Sequence, residues 1–422
     1  MFRNTAVFAW PFQFALHMLL IGIFLFAIAA SPASAQIKPK VRTITAFIRL
    51  DTTQYKQQFA DTVAMLRNAQ SRFQLAGYEV DSIRIATQPF PEYTGGMTKD
   101  AALALFHDLD GLAKQEKVMI GIGPALLAEK DDSSQAQLLA EILGSSTNIF
   151  GSVVVAGSDG VHWKAVHEAA GVMKYLEDHT DKGMGNFRFA AIANVPPYTP
   201  FFPAAYHQGL GHQFAIALES ANTVAPVMAV QRDPDATRQA LIAELRLHAE
   251  AVGDIADKID LQTGWSYQGI DLSPAPMKYA SIGAALAGFA GGKFGTSGTL
   301  TAVATLTAAL RDISVKKVGY SGVMMPVLED SRLAELWGEG KLSMDQLLAY
   351  SAVSGTGLDT IPLPGDVTAQ QLERIVGDVA ILSVKLSKPL SARLLPVPGA
   401  KPGDRTAFDD PNMVNTVIQA LP

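Results

Sequence analysis

A chain of 422 residues that is 48% hydrophobic and 18% charged can bury a large core, which excludes a disordered protein and permits one large α/β domain or two smaller ones. Its formal net charge of −6, with no long basic run, excludes a nucleic-acid binder. There is no cysteine, so no thiolate nucleophile, cysteine-ligated zinc, iron–sulfur cluster or thiyl radical can operate here.

The N-terminus carries Arg3, an apolar run over residues 14–30, and Ala33, Ser34 and Ala35 before Gln36. A basic start, an apolar stretch and an A-x-A site read as a secretory signal over residues 1–35, with an uncleaved membrane anchor as the alternative. The expectation is a periplasmic or secreted protein, off the membrane after cleavage, whose residues 36–422 form a single domain.

TITAFIRL (43–50) is a β-branched and aromatic run expected as a strand, and residues 54–76 carry apolar side chains at helical spacing up to Gly77. The alternation continues with a strand in YEVDSIRIAT (78–87), a helix over 98–117, a strand in VMIGIG (118–123), a helix over 133–143 and a strand in GSVVVAG (151–157). A helix over 161–179, the strand FRFAAIANV (187–195) and a long helix near 236–258 follow. YQGIDLS (267–273), VGYSGVMMPV (318–327) and LSARLLPVPG (390–399) are further expected strands, with helices near 280–290, 299–311, 343–350 and 368–386 and a short amphipathic helix at the C-terminus. Such alternation implies a largely parallel sheet covered on both faces. The proline-rich stretches VPPYTPFFP (195–203), LSPAP (272–276) and IPLPGD (361–366) are expected as loops at one rim, since parallel folds gather ligand sites where strands end.

The motifs for chemistry are mostly incomplete. GIGPAL (121–126) lacks the third glycine of a dinucleotide fingerprint, and neither Ser297 nor Ser321 completes G-x-S-x-G. Gly295 and Thr296 open a helix start whose free N–H groups favour an anion or simply need a cap. His207, beside Tyr206 in a loop flanked by Pro and Gly, is the candidate general acid or base. Asp271, Asp359, Asp366 and Asp404 are candidate acids or oxygen ligands, Asp366 and Asp404 for a divalent cation, although each alone reads equally as a turn cap. YSAVSGTGLDTIPLPGD (350–366) packs Ser354, Thr356, Asp359, Thr360 and Asp366 between glycines and prolines.

Taken in order, KVRTITAFIRL, AGYEVDSIRIATQPFP, FFPAAYH, YQGIDLSPAP, GYSGVMMPVLED, YSAVSGTGLDTIPLPGD and LSARLLPVPGAKPGDRTAFDDP resemble domain-of-unknown-function family 711 over nearly all of residues 40–415. The resemblance implies a closed or nearly closed α/β barrel of about ten parallel and mixed strands, like the pyruvate formate-lyase group, and it brings no reaction with it. That family commonly has a cysteine where this chain has Ser354, so glycyl-radical chemistry is excluded here on chemical grounds.

The expectation is therefore an enzyme acting on a small polar or carboxylate-bearing molecule by acid–base or hydrolytic chemistry. His207, Ser354 and Asp359 would be catalytic, and Tyr206, Asp271, Thr356, Thr360, Gly295 and Thr296 would bind substrate. A periplasmic binding protein without catalysis is the alternative, and self-association into a homo-oligomer is compatible with either.

Overall fold

The computed structural model describes residues 37–421 other than 231 and 293, so the expected signal over residues 1–35 lies outside the described residues. The strands are Lys40–Ile48 (β1), Ile83–Thr87 (β2), Met119–Pro124 (β3), Ile149–Gly157 (β4), Gly160–Val161 (β5), Phe189–Ala193 (β6), Gln213–Glu219 (β7), Ser266–Asp271 (β8), Gly357–Pro364 (β9) and Leu390–Val397 (β10). They form one ten-stranded sheet in the order β8-β7-β1-β2-β3-β4-β6-β10-β9, with β5 attached to β4. The block β1, β2, β3, β4 and β6 is parallel, and the flanking pairs β7–β8 and β9–β10 run antiparallel to it.

Side-chain size differs between the two faces. On the outer face Ile44, Ile83, Ile85, Ile216 and Leu218 pack with the helices in one large cluster. A fully buried Ile or Leu contributes about 1.5–3 kcal/mol, which makes this layer the main source of stability. On the inner face, alternate positions are small: Ala86, Ala190, Ala215 and Ala217. The room they leave is taken by the loop between β6 and β7, whose Phe201, Phe202 and Ala204 pack against them. Thr45 of β1 holds that loop, its Oγ1 donating to the Pro200 carbonyl at 2.9 Å.

The outer helices begin where capping residues stand. Ser343 with Gln346 and Thr368 with Gln371 form complete capping boxes that start the helices Met344–Ser351 and Ala369–Leu386. Helices Ala221–Val230, with Pro226 inside it, and Ser331–Gly338 have no counterpart in the periodicity reading.

Three expected elements differ. VGYSGVMMPV is not a strand, because Gly319 (φ 71°) and Ser321 (φ 41°) turn its backbone out of the extended range. Residues 316–327 instead lie between the two free sheet edges and make one backbone bridge to each. The Ile270 N–H donates to the Lys316 carbonyl at 2.8 Å, and the Val327 N–H donates to the Asp359 carbonyl at 3.0 Å. A closed ring of paired strands is therefore not what the hydrogen bonds make; the fold is a mixed α/β sheet left open between β8 and β9. IPLP, expected as loop, forms the second half of β9. The C-terminal segment is not helical, since its backbone bonds elsewhere: Ile418 N–H donates to Asp404 O at 2.8 Å and Val414 N–H to Leu328 O at 2.7 Å.

Gly319 cannot take a side chain. Its φ is left-handed, and a Cβ there would overlap Oδ2 of Asp271. Gly319→Ala is expected to destabilise the chain by about 3 kcal/mol, measured by urea unfolding, because it adds backbone strain to a clash between a half-buried turn and the buried Asp271.

Candidate functional site

At the N-terminal end of the parallel block the inner face is not filled. A cavity of about 580 Å³ opens there. Its wall takes Lys40 and Arg42 from β1, Arg84 from β2, Glu219 from the end of β7, Asp359 from β9, and Ser391 and Arg393 from β10. Tyr320 and Glu329 come from the irregular segment and the turn after it, and Phe201 and Phe202 from the inner loop.

Strand irregularities aim two of these side chains. Between Val41 and Thr43 the register with β7 shifts, so Arg42 is an extra residue. Between β9 and β10 the register passes from Ala392 opposite Leu358 to Leu394 opposite Ile361, so Asp359 and Thr360 together oppose Arg393. Thr360 has φ 46°, a strained value for a β-branched residue, and its Oγ1 accepts the Leu328 N–H at 3.2 Å. This bulge sets Asp359 beside Arg393, whose Nε donates to Oδ1 at 2.6 Å. The other arm of Arg393 donates to Glu329, and Phe187 lies 4.8 Å from the guanidinium. Burial opposes the charge on Arg393, but Asp359 and Glu329 outweigh it and raise its pKa. Burial raises the pKa of Glu329, and Arg393 opposes that shift.

Two wall residues lack such partners. Glu219 is 3% exposed, and its Oε2 is buried with no hydrogen-bond partner. Arg42 lies 3.6 Å from that oxygen, close enough to attract but too far to donate. Burial, then the neighbouring Asp81 carboxylate, pushes the Glu219 pKa up to about 7, against the pull of Arg42 and Lys40. Arg84, 8% exposed, donates from Nε to Ser82 Oγ at 3.2 Å and lies 5.1 Å from the centre of the Phe202 ring. Burial and the nearby Arg42 push its pKa down to about 9.

The structure brings together only part of the expected constellation. Asp359 and Thr356 line the cavity, although the Thr356 hydroxyl is spent on the Val323 carbonyl at 3.0 Å. Thr360 is next to the wall but holds the bulge. His207 lies toward the other end of the strands, where its N–H donates to the Thr87 carbonyl and its Nε2 meets Gln213 Oε1 at 2.8 Å. Thr87 is roughly 10 Å along β2 from Arg84 at about 3.3 Å per residue, and Phe47, Ala86 and Phe202 fill the interior there. Burial lowers the His207 pKa. Its neighbour Tyr206 donates to the Val195 carbonyl at 3.1 Å, and burial pushes its pKa up to about 12.

Ser354 is fully buried and does not line the cavity, and its Oγ is unpartnered. Ser354→Ala is expected to leave stability within about 1 kcal/mol of the parent, or slightly above it, in urea unfolding, because it removes a buried hydroxyl that satisfies nothing. A loss above about 2 kcal/mol would mean that the hydroxyl has a partner after all.

Asp271 is a turn anchor. Its carboxylate accepts from Ser273 N and Oγ, Tyr320 N and Ser321 N at 2.7–3.0 Å, and burial raises its pKa against those bonds. Gly295 donates to Thr299 Oγ1 at 3.0 Å within its helix start, and Thr296 is exposed. Asp366 and Asp404 are also exposed, and among the described residues no group of three or more His, Asp or Glu side chains is placed to hold a metal ion.

Periodicity missed Arg84, Glu219 and Arg393. The available signal was a charge on the inner-facing register of an apolar run: Arg84 in SIRIAT, Glu219 at the end of FAIALE, Arg393 in LSARLL.

The model of the family described as Uncharacterised ACR (DUF711) matches residues 35–410. A UPF0210 protein of Pyrobaculum aerophilum is 33% identical, over 78% of this chain and 76% of its own length. One of Methanocaldococcus jannaschii is 28% identical over 78% and 77%, and one of Neisseria meningitidis 27% over 82% and 80%. A match covering most of the chain, with a relative at this identity, establishes that the protein belongs to the DUF711 family.

Proposed function

We propose that the cavity is the active site of an enzyme that transfers a proton to or from a small polar molecule, with Glu219 as the group that gives or takes it. The observation that carries this reading is the buried, unpartnered Glu219 Oε2 in the cavity wall. A carboxyl whose pKa is about 7 is present in both protonation states at neutral pH, which general acid–base catalysis requires. The Tyr320 side chain on the same wall supplies a hydroxyl for orienting a substrate, whereas the Ser391 hydroxyl is spent on the Thr356 carbonyl at 3.0 Å. Arg42 steadies the ionised form of Glu219 when the proton has left.

In this reading the sheet and the segment joining its edges act as a nearly closed barrel, like that of the pyruvate formate-lyase group, with the cavity inside one end. Two bridges of residues 316–327, one to each edge, support it. The protein is proposed to be exported to the periplasm or beyond. The support is that the family match begins at residue 35, where the A-x-A site ends.

The test is a thermal-shift screen of the full chain against small polar metabolites, with NMR analysis of every ligand that raises the melting temperature. The expected result is that at least one is converted, or exchanges a carbon-bound proton with deuterated solvent. If every stabilising ligand is recovered unchanged and unexchanged, the protein is a binding protein.

A further inference from the structure

We propose that Arg84 is the binding group for a carboxylate on the ligand, so that the cavity selects small carboxylic acids. This rests on the cavity being the substrate site. Three arginines line the wall, and two of them already have acids. Arg393 holds Asp359 and Glu329, and Arg42 has Asp81, Glu219 and Glu329 at 3.6–3.8 Å. Arg84 has no carboxylate within 4.0 Å among the described residues, although it is only 8% exposed.

A guanidinium withdrawn from water needs a counter-charge or acceptors for its N–H groups. The Nε of Arg84 is used by Ser82, and one face of the side chain rests on Phe202. The Nη edge remains. Two parallel N–H donors on that edge match the two oxygens of a carboxylate in one plane.

The charge of the wall selects within the oxyanions. Four cationic side chains are set against five acidic ones, so the cavity is not a general anion trap. One unit of negative charge offsets Arg84. A dianionic phosphate would add a second unit, which nearby Asp81 and Glu329 would repel.

The full chain is titrated calorimetrically with propionate, 2-hydroxypropanoate and inorganic phosphate, in the parent and in Arg84→Met and Arg84→Lys. Carboxylate binding is expected to weaken about tenfold or more in Arg84→Met and to recover in part in Arg84→Lys, with phosphate the weaker ligand of the parent. Equal carboxylate affinity in parent and Arg84→Met overturns the proposal, and so does tighter binding of phosphate. Should Arg84→Met not fold, the arginine Nη resonances of the ¹⁵N-labelled parent decide: a set that does not move on adding propionate overturns it. Binding that depends on Arg84 without turnover of any ligand would remove the proton-transfer reading and leave this one standing.

Discussion

Glu219→Gln is expected to slow turnover of a converted cavity ligand by about 10²–10⁴-fold, the usual contribution of a positioned general acid or base, while the ligand still binds. Glutamine keeps the shape and cannot exchange the proton. The same substitution should remove a pH dependence of stability. The carboxyl has a pKa of about 7 in the folded chain against 4.5 ordinarily, so it holds its proton more tightly when folded. Its contribution to stability is complete below about pH 4.5 and is lost as the pH rises through about 7. Parent and variant should thus unfold alike at pH 4.5, and the parent should be the less stable above pH 7, by on the order of 2 kcal/mol after allowing for solvent screening. Urea unfolding of both chains at the two pH values measures it. A difference that is constant with pH would show that Glu219 has an ordinary pKa and no special fitness for proton transfer.

The largest loss of stability is expected from Arg393→Met. It strips Asp359 of its cation and leaves Glu329 only the more distant Arg42 at 3.7 Å, and breaking a buried ion pair from one side costs about 3–5 kcal/mol. Methionine keeps much of the side-chain volume, so the loss reports charge rather than a cavity. Adding Glu329→Gln and Asp359→Asn to the same chain should recover more than half of the loss, because neutral amides need no counter-ion. A single variant that loses under about 1 kcal/mol would mean that the three groups are better solvated than the geometry implies.

What the sequence made legible follows periodicity. Strands with bulky residues on the helix side, such as SIRIAT and LSARLL, and helices opened by Ser343 and Thr368, were readable, because burial on one face leaves a regular pattern. The bulges at Arg42 and at Asp359 with Thr360 were not. A bulge breaks the alternation that makes a strand recognisable, and GLDTIPLP accordingly reads as a loop.

The end of the sheet that carries the cavity was also hidden. Ligand sites in parallel folds are expected past the C-terminal ends of strands, and His207 stands there. The loop of Phe201 and Phe202 enters the sheet from that end and fills it, which leaves the open space beside the first residues of β1 and β2. Only the packing of a loop against inner-face alanines distinguishes the two ends, and that is a relation between residues far apart in the chain. Asp359 reached the site by composition; Arg84 and Glu219 reached it by facing inward.

The cavity as the functional site is tested most directly by a crystal structure of the full chain soaked with a carboxylate that raises its melting temperature. The expected result is ligand density in the cavity, with the carboxylate on the Nη edge of Arg84 and another polar group within hydrogen-bonding reach of Glu219. Density beside His207, or anywhere outside the cavity while Arg84 and Glu219 stay bare, would contradict it.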